Sequence, residues 1–142
     1  MDWNRAVLAA AVAVMSGCAT FGGGGVGGAA RSLSSDPTMP AAEGQAKFSK
    51  GTNDNTAIDV NVKHLAQPEK LTPPASTYVV WTQAKPNEAP QNIGQLKVDK
   101  DLSGTIQTVT PLHSFDLFIT AEGSGQVQSP TGKHLLWTSY SQ

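Results

Sequence analysis

The 142-residue chain is short of most of the side chains that carry chemistry. It has one cysteine, which excludes an intrachain disulfide and any structural zinc site built on several thiolates. Three scattered histidines, His64, His113 and His134, lack the i, i+2 or i, i+4 spacing that presents two imidazoles together. Each reads as a surface or strand-end histidine, with a copper or zinc site from two of them as the alternative. Charge is sparse too: 10 Lys and Arg face 11 Asp and Glu, for a net charge of −1. Without clustered Lys and Arg nothing can neutralise a phosphate backbone, so no nucleic-acid partner is expected. At this length one folded domain is the expectation.

What is present begins at the N-terminus. Arg5 and the terminal amine form a short positive region, weakened by Asp2, ahead of an uncharged apolar run from Ala6 to Met15. Ten helical residues reach about 15 Å, roughly half of a bilayer's hydrocarbon thickness. Residues 1–17 therefore read as a signal peptide and not as a membrane span. The run ends in Met15-Ser16-Gly17-Cys18, which resembles the lipobox of bacterial lipoproteins, with Met15 in place of the usual Leu. The resemblance implies that Cys18 carries a thioether-linked diacylglycerol and becomes the mature N-terminus, so that covalent lipid makes the membrane a partner. Two or more acyl chains hold stably, each buried methylene contributing about 0.8 kcal/mol. An ordinary secretory signal with a chance cysteine near the cut is the other reading. Ala19 stands where lipoproteins retained in the inner membrane carry Asp. By the same resemblance the destination is the outer membrane, facing the periplasm.

Gly22-Gly23-Gly24-Gly25-Val26-Gly27-Gly28 follows, then Ala, Ser, Asp and Pro residues through Met39-Pro40. Such composition buries too little apolar surface to offset chain entropy. Residues 18–43 therefore read as a lipidated cysteine and a disordered tether, with a reach of about 25–30 Å for a Gly-rich coil.

From Gly44 to Gln142 the apolar pattern has period two, punctuated by turn residues. Ile58, Val60 and Val62 alternate with Asp59, Asn61 and Lys63, as in a half-buried strand. Thr77 to Thr82 is dense in β-branched and aromatic residues, as a central strand requires, and Trp81 is the expected central core residue. Leu96 with Val98, then Ile106, then Phe115, Leu117, Ile119 and Ala121 show one apolar face each. His134 to Tyr140 reads as a last strand, and Gln45 to Ser49 as a weaker first one. Seven short strands and no helix longer than a turn predict an all-β, seven-stranded immunoglobulin-like sandwich over 44–142. The Cys–Trp–Cys framework of antibody domains is absent, leaving apolar burial to hold the sheets.

Tyr78-Val79-Val80-Trp81, Asn92-Ile93-Gly94-Gln95-Leu96, Phe115 to Glu122 and Ser129-Pro130-Thr131-Gly132 occur in that order. Together they resemble the extracytoplasmic domain of anti-sigma-K factors, over roughly Thr77 to Leu136. The resemblance implies a β-sandwich. The sigma-binding segment and membrane helix of that family have no counterpart here, so its regulatory act does not transfer.

Motifs for chemistry are incomplete. Asp99-Lys100-Asp101-Leu102-Ser103-Gly104 matches half of a calcium loop, but Thr110 occupies the position of the bidentate Glu, and a polar hairpin turn is expected instead. Gly132-Lys133-His134 and Gly123-Ser124-Gly125 depart from phosphate- and dinucleotide-binding patterns and read as turns. No nucleophile stands beside a base, so no enzyme and no cofactor are expected. Phe118 faces outward opposite the Phe115 row; if Leu135 and Trp137 face the core, Leu136 faces outward as well, and Tyr140 joins Phe118 there. They then form either a sugar- or peptide-binding patch or rings covered by a loop or second sheet. The leading expectation is a non-catalytic binding or structural lipoprotein with an envelope-protein or cell-wall partner. A sensory or regulatory accessory related to anti-sigma ectodomains is the second, and a metal-dependent envelope enzyme the third.

Overall fold

The structure, a computed structural model, describes residues 29–142. Residues 1–28, with the leader, Cys18 and the glycine run, lie outside the described residues. Eight strands follow in order: β1 (Ala29–Ser35), β2 (Glu43–Lys50), β3 (Thr56–Lys63), β4 (Thr77–Gln83), β5 (Gln91–Leu96), β6 (Gly104–Thr110), β7 (Ser114–Glu122) and β8 (Leu136–Ser141). They form one antiparallel sheet in the order β5-β4-β7-β8-β1-β2-β3-β6. The sheet curls until its two end strands meet through side chains. The Thr108 hydroxyl of β6 donates to the Ile93 carbonyl of β5 at 3.0 Å, and the Ile106 side chain lies over Gly94.

This nearly closed sheet replaces the expected seven-stranded immunoglobulin-like sandwich. The difference lies in β1, where Ala29–Leu33 pair with β2 and Ser34–Ser35 pair with β8, so one strand joins what would otherwise be two sheets. Its sequence, AARSLSS, carries only Leu33 as a large apolar residue, and it is a strand because two neighbours take up its backbone hydrogen bonds. The folded body thus includes Ala29 and does not begin at Gly44. Leu33, Met39 and Ala42 are buried within the stretch expected to be tether.

Alternation decides the interior. Ala46 and Phe48 of β2, Ile58, Val60 and Val62 of β3, Tyr78 and Val80 of β4, and Phe115, Leu117 and Ile119 of β7 point inward and fill it. At one end Phe48 stacks on Tyr140 at 4.4 Å and meets Phe115 edge-on at 5.7 Å. At the other the Tyr78 hydroxyl donates to the Ala66 carbonyl at 2.6 Å.

The strand β4 is buried on both faces. Trp81 is fully buried, yet it is not in the central core. With Val79 and Phe118 it forms a second cluster on the outer face, covered by Val127 from the β7–β8 connection. Its indole N–H donates to the Thr120 hydroxyl at 2.8 Å.

Antiparallel pairing throughout puts the connections 36–42, 64–76, 97–103 and 123–135 at one end of the sheet. The shorter set, 51–55, 84–90 and 111–113, lies at the other end, together with Ala29, where the chain from Cys18 enters.

Candidate functional site

The two longest connections, 64–76 and 123–135, enclose a groove of about 700 Å³ at the end remote from Ala29. The β1–β2 connection adds Thr38 and Met39 to its wall, the β3–β4 connection Lys70 to Ala75, and the β7–β8 connection Thr131 to Lys133. The β3–β4 wall is stiffened locally. Pro68 opens a 3₁₀ turn through Lys70, and its carbonyl accepts the N–H groups of Leu71 and Ala75. Pro73 and Pro74 then restrict the chain to extended conformations.

Glu122, the last residue of β7, lines this groove and is only 1% exposed. Four donors saturate its carboxylate: the Thr120 hydroxyl, the hydroxyl and N–H of Thr131, and the N–H of Gly132 at 3.4 Å. Burial pushes its pKa up, but the bonds from Thr120, Thr131 and Gly132 outweigh it and hold the carboxyl below its ordinary value. The Thr120 hydroxyl, which accepts from Trp81, donates in turn to Glu122, so a hydrogen-bond relay runs from the outer cluster to the groove. A carboxylate with four fixed donors has no spare lone pair aimed at a ligand. It acts as a clamp on the β7–β8 connection and not as a general base.

The second charged element is Asp36. It accepts the N–H of Thr38 at 2.8 Å, the Thr38 hydroxyl, and Lys133 Nζ at 3.0 Å. Those bonds, Thr38 first, lower its pKa to about 2. The pair fixes Lys133 at the rim, and Lys70 adds a second cation from the β3–β4 connection. An apolar wall of Met39, Leu71 and Leu135 beside Lys70 and the Lys133–Asp36 pair suits an extended ligand with apolar and carbonyl groups.

The residues singled out from the sequence are dispersed. Cys18 lies outside the described residues. Phe118 and Tyr140 do not form a patch, because they stand on opposite faces: Phe118 pairs in register with Trp137, and Tyr140 with Phe115. Phe118 is 1% exposed, beneath the stacked ring of His134 at 3.7 Å. Tyr140 is half-buried against Phe48. The phase of β8 is the reverse of the expected one: Leu136 and Tyr140 turn inward and Trp137 outward. Leu135 is buried as well, just before the strand, held by its N–H to the Ile119 carbonyl. Two adjacent buried leucines conceal the alternation.

The calcium-like segment is a hairpin turn. Asp99 Oδ1 accepts the N–H groups of Asp101 and Ser103, and Leu102 takes φ 61°. His64 sits at the groove end of β3, His113 faces Asp54 at 3.5 Å at the opposite end, and His134 lies on Phe118. Among the described residues no three His, Cys, Asp or Glu side chains are grouped to hold a metal ion, and no helix is long and apolar enough to cross a membrane. The Glu122 clamp escaped sequence reasoning because its partners lie nine and ten residues on, across an irregular loop. No protein-family model, curated protein or solved structure matches the chain.

Proposed function

We propose that the chain is a lipid-anchored protein of the bacterial cell envelope whose β-sheet body binds a partner without catalysis. Met15-Ser16-Gly17-Cys18 supports the anchor, and Ala19 supports an outer-membrane address facing the periplasm. One observation carries the binding role: the two longest connections build a groove at the end of the sheet opposite Ala29. A strand of seven or eight residues spans roughly 25 Å, so the groove lies about that far along the sheet from Ala29, the end at which the tether joins the body. Binding residues on long loops over a rigid sheet can be positioned closely without disturbing the core. The clamp on Glu122 serves this purpose, because it keeps the β7–β8 wall in place before any ligand arrives.

The test uses the full chain in living bacteria, with a photo-crosslinking residue at Thr72 in the groove or at Glu88 at the other end. The wild type is expected in the membrane fraction and Cys18→Ser in the soluble fraction. Thr72 is expected to yield a discrete crosslinked envelope species that Glu88 does not. Membrane retention of Cys18→Ser overturns the anchor, and crosslinks from Glu88 alone overturn the groove.

A further inference from the structure

The outward face of the sheet carries a second feature, remote in kind from the groove. Inward positions on β1, β2, β3 and β6 are taken by Leu33, Gly44, Ala46, Val60, Val62, Gly104 and Ile106. Alternation therefore turns Ser32, Gln45, Asn61 and Thr105 outward, and the register aligns them as one row across four strands. Ser34, two residues beyond Ser32 on the same face of β1, pairs with Trp137 of β8, so the indole stands on a fifth strand, diagonally adjacent to the row on the side of Glu43 and Lys63. Four strand spacings of about 4.8 Å make this a track roughly 19 Å long.

We propose that this track binds a neutral glycan chain. Every hydrogen-bonding side chain in it is an uncharged amide or hydroxyl, able to donate and accept at once, as sugar hydroxyls require. Trp137 is 38% exposed and supplies a broad apolar face, which the C–H face of a pyranose ring covers. Its neighbour in register, Phe118, is packed under His134, so the indole stands beside a fixed aromatic pair. The Thr105 hydroxyl donates to Asn61 Oδ1 at 3.1 Å, which orients the amide and leaves its NH₂ free for a ligand. Ser32, Gln45 and Asn61 also line a recess of about 570 Å³. The charged residues at its edge, Glu43 and Lys63, face each other in register and offset one another, so the recess favours neither sign. A charged polymer would find no matching field, whereas an elongated polyol finds stacking at one end and alternating donors and acceptors along the rest.

The full chain in detergent micelles is titrated by calorimetry with chitotetraose and with cellotetraose. Saturable binding of at least one is expected. Preference for chitotetraose identifies an acetamido-bearing chain, and preference for cellotetraose a plain hexose polymer; both support the proposal. Trp137→Ala and Asn61→Ala are each expected to weaken binding by about tenfold. Trp137→Phe is expected to restore part of the affinity, and Glu88→Ala to leave it unchanged. All three positions are outward or in a loop, and unchanged circular dichroism melts confirm that the variants fold. Absence of binding to both oligosaccharides overturns the proposal, as does affinity unaltered by Trp137→Ala and Asn61→Ala.

Discussion

Thr131 donates both its backbone N–H and its hydroxyl to the carboxylate of Glu122, nine residues earlier in the chain. This doubled contact ties an irregular connection to the end of β7 and, through Thr120, links the groove wall to Trp81 of the outer aromatic cluster. Its loss has consequences that reach beyond the loop.

Glu122→Ala leaves the Thr131 and Gly132 donors without their acceptor and ends the relay from Trp81. A destabilisation of about 3 kcal/mol is expected, since several hydrogen bonds to a buried charge are lost together. Thr131→Val removes one hydroxyl and keeps the N–H contact, so a smaller cost of about 1 kcal/mol is expected. Urea denaturation of both variants checks the order, and equal costs would contradict the clamp.

Acid sensitivity follows from the same carboxylate and from Asp36. Folding lowers both pKa values: Glu122 is held below its ordinary 4.5 by its hydrogen bonds, and Asp36 falls from 3.8 to about 2. Each therefore stabilises the fold fully above its unfolded value, and the contribution is lost as pH falls through its folded value. Stability should hold level down to about pH 4.5 and then decline towards pH 2. Glu122→Gln should make that decline shallower, as read from urea midpoints across the range. An unaltered slope in the variant would remove Glu122 from the explanation.

Tyr78 governs the alkaline side. Burial, with a smaller effect from Glu69, pushes its pKa from 10.0 up to about 12. The neutral phenol is thus favoured by folding, and its contribution is complete below pH 10.0 and lost as pH rises through about 12. Tyrosinate absorbance should appear together with loss of near-ultraviolet dichroism. In Tyr78→Phe the alkaline loss should be weaker, although at neutral pH the variant pays about 1 kcal/mol for the unpaired Ala66 carbonyl. Ionisation of Tyr78 without any structural change would refute the burial argument.

Closure of the sheet depends on Gly94. Its φ is +145°, and a Cβ there would lie 2.6 Å from Ile106 Cδ1. Gly94→Ala is expected to cost about 2 kcal/mol from backbone strain and the displaced side chain. Adding Ile106→Ala relieves the contact but not the strain, so the thermal midpoint should show less than additive loss. Full additivity would indicate that the two strands do not touch there.

Much of the fold is readable from residue order alone. Period-two alternation identifies β3 and β7 by their inward Ile58, Val60, Val62 and Phe115, Leu117, Ile119, because those faces meet only the core. The dense run from Thr77 marks β4 as central, and Asp99, Ser103 and Gly104 mark a turn, because turn geometry is a local property. The Cys18 expectation rests on residue order in the same way. Three features required the tertiary structure. AARSLSS becomes a strand only where β2 and β8 offer it backbone partners, and no side chain announces that. Phe118 and Trp81 are buried on the outer face only because the β7–β8 connection folds back over them, so a two-faced pattern on one strand looked like exposure. Glu122 meets its donors across a loop whose path is set by packing and not by local preference. Side-chain alternation and turn chemistry act over a few residues and are written in the order of the chain, whereas strand adjacency and loop coverage depend on which distant segments can satisfy one another's buried surfaces and hydrogen bonds.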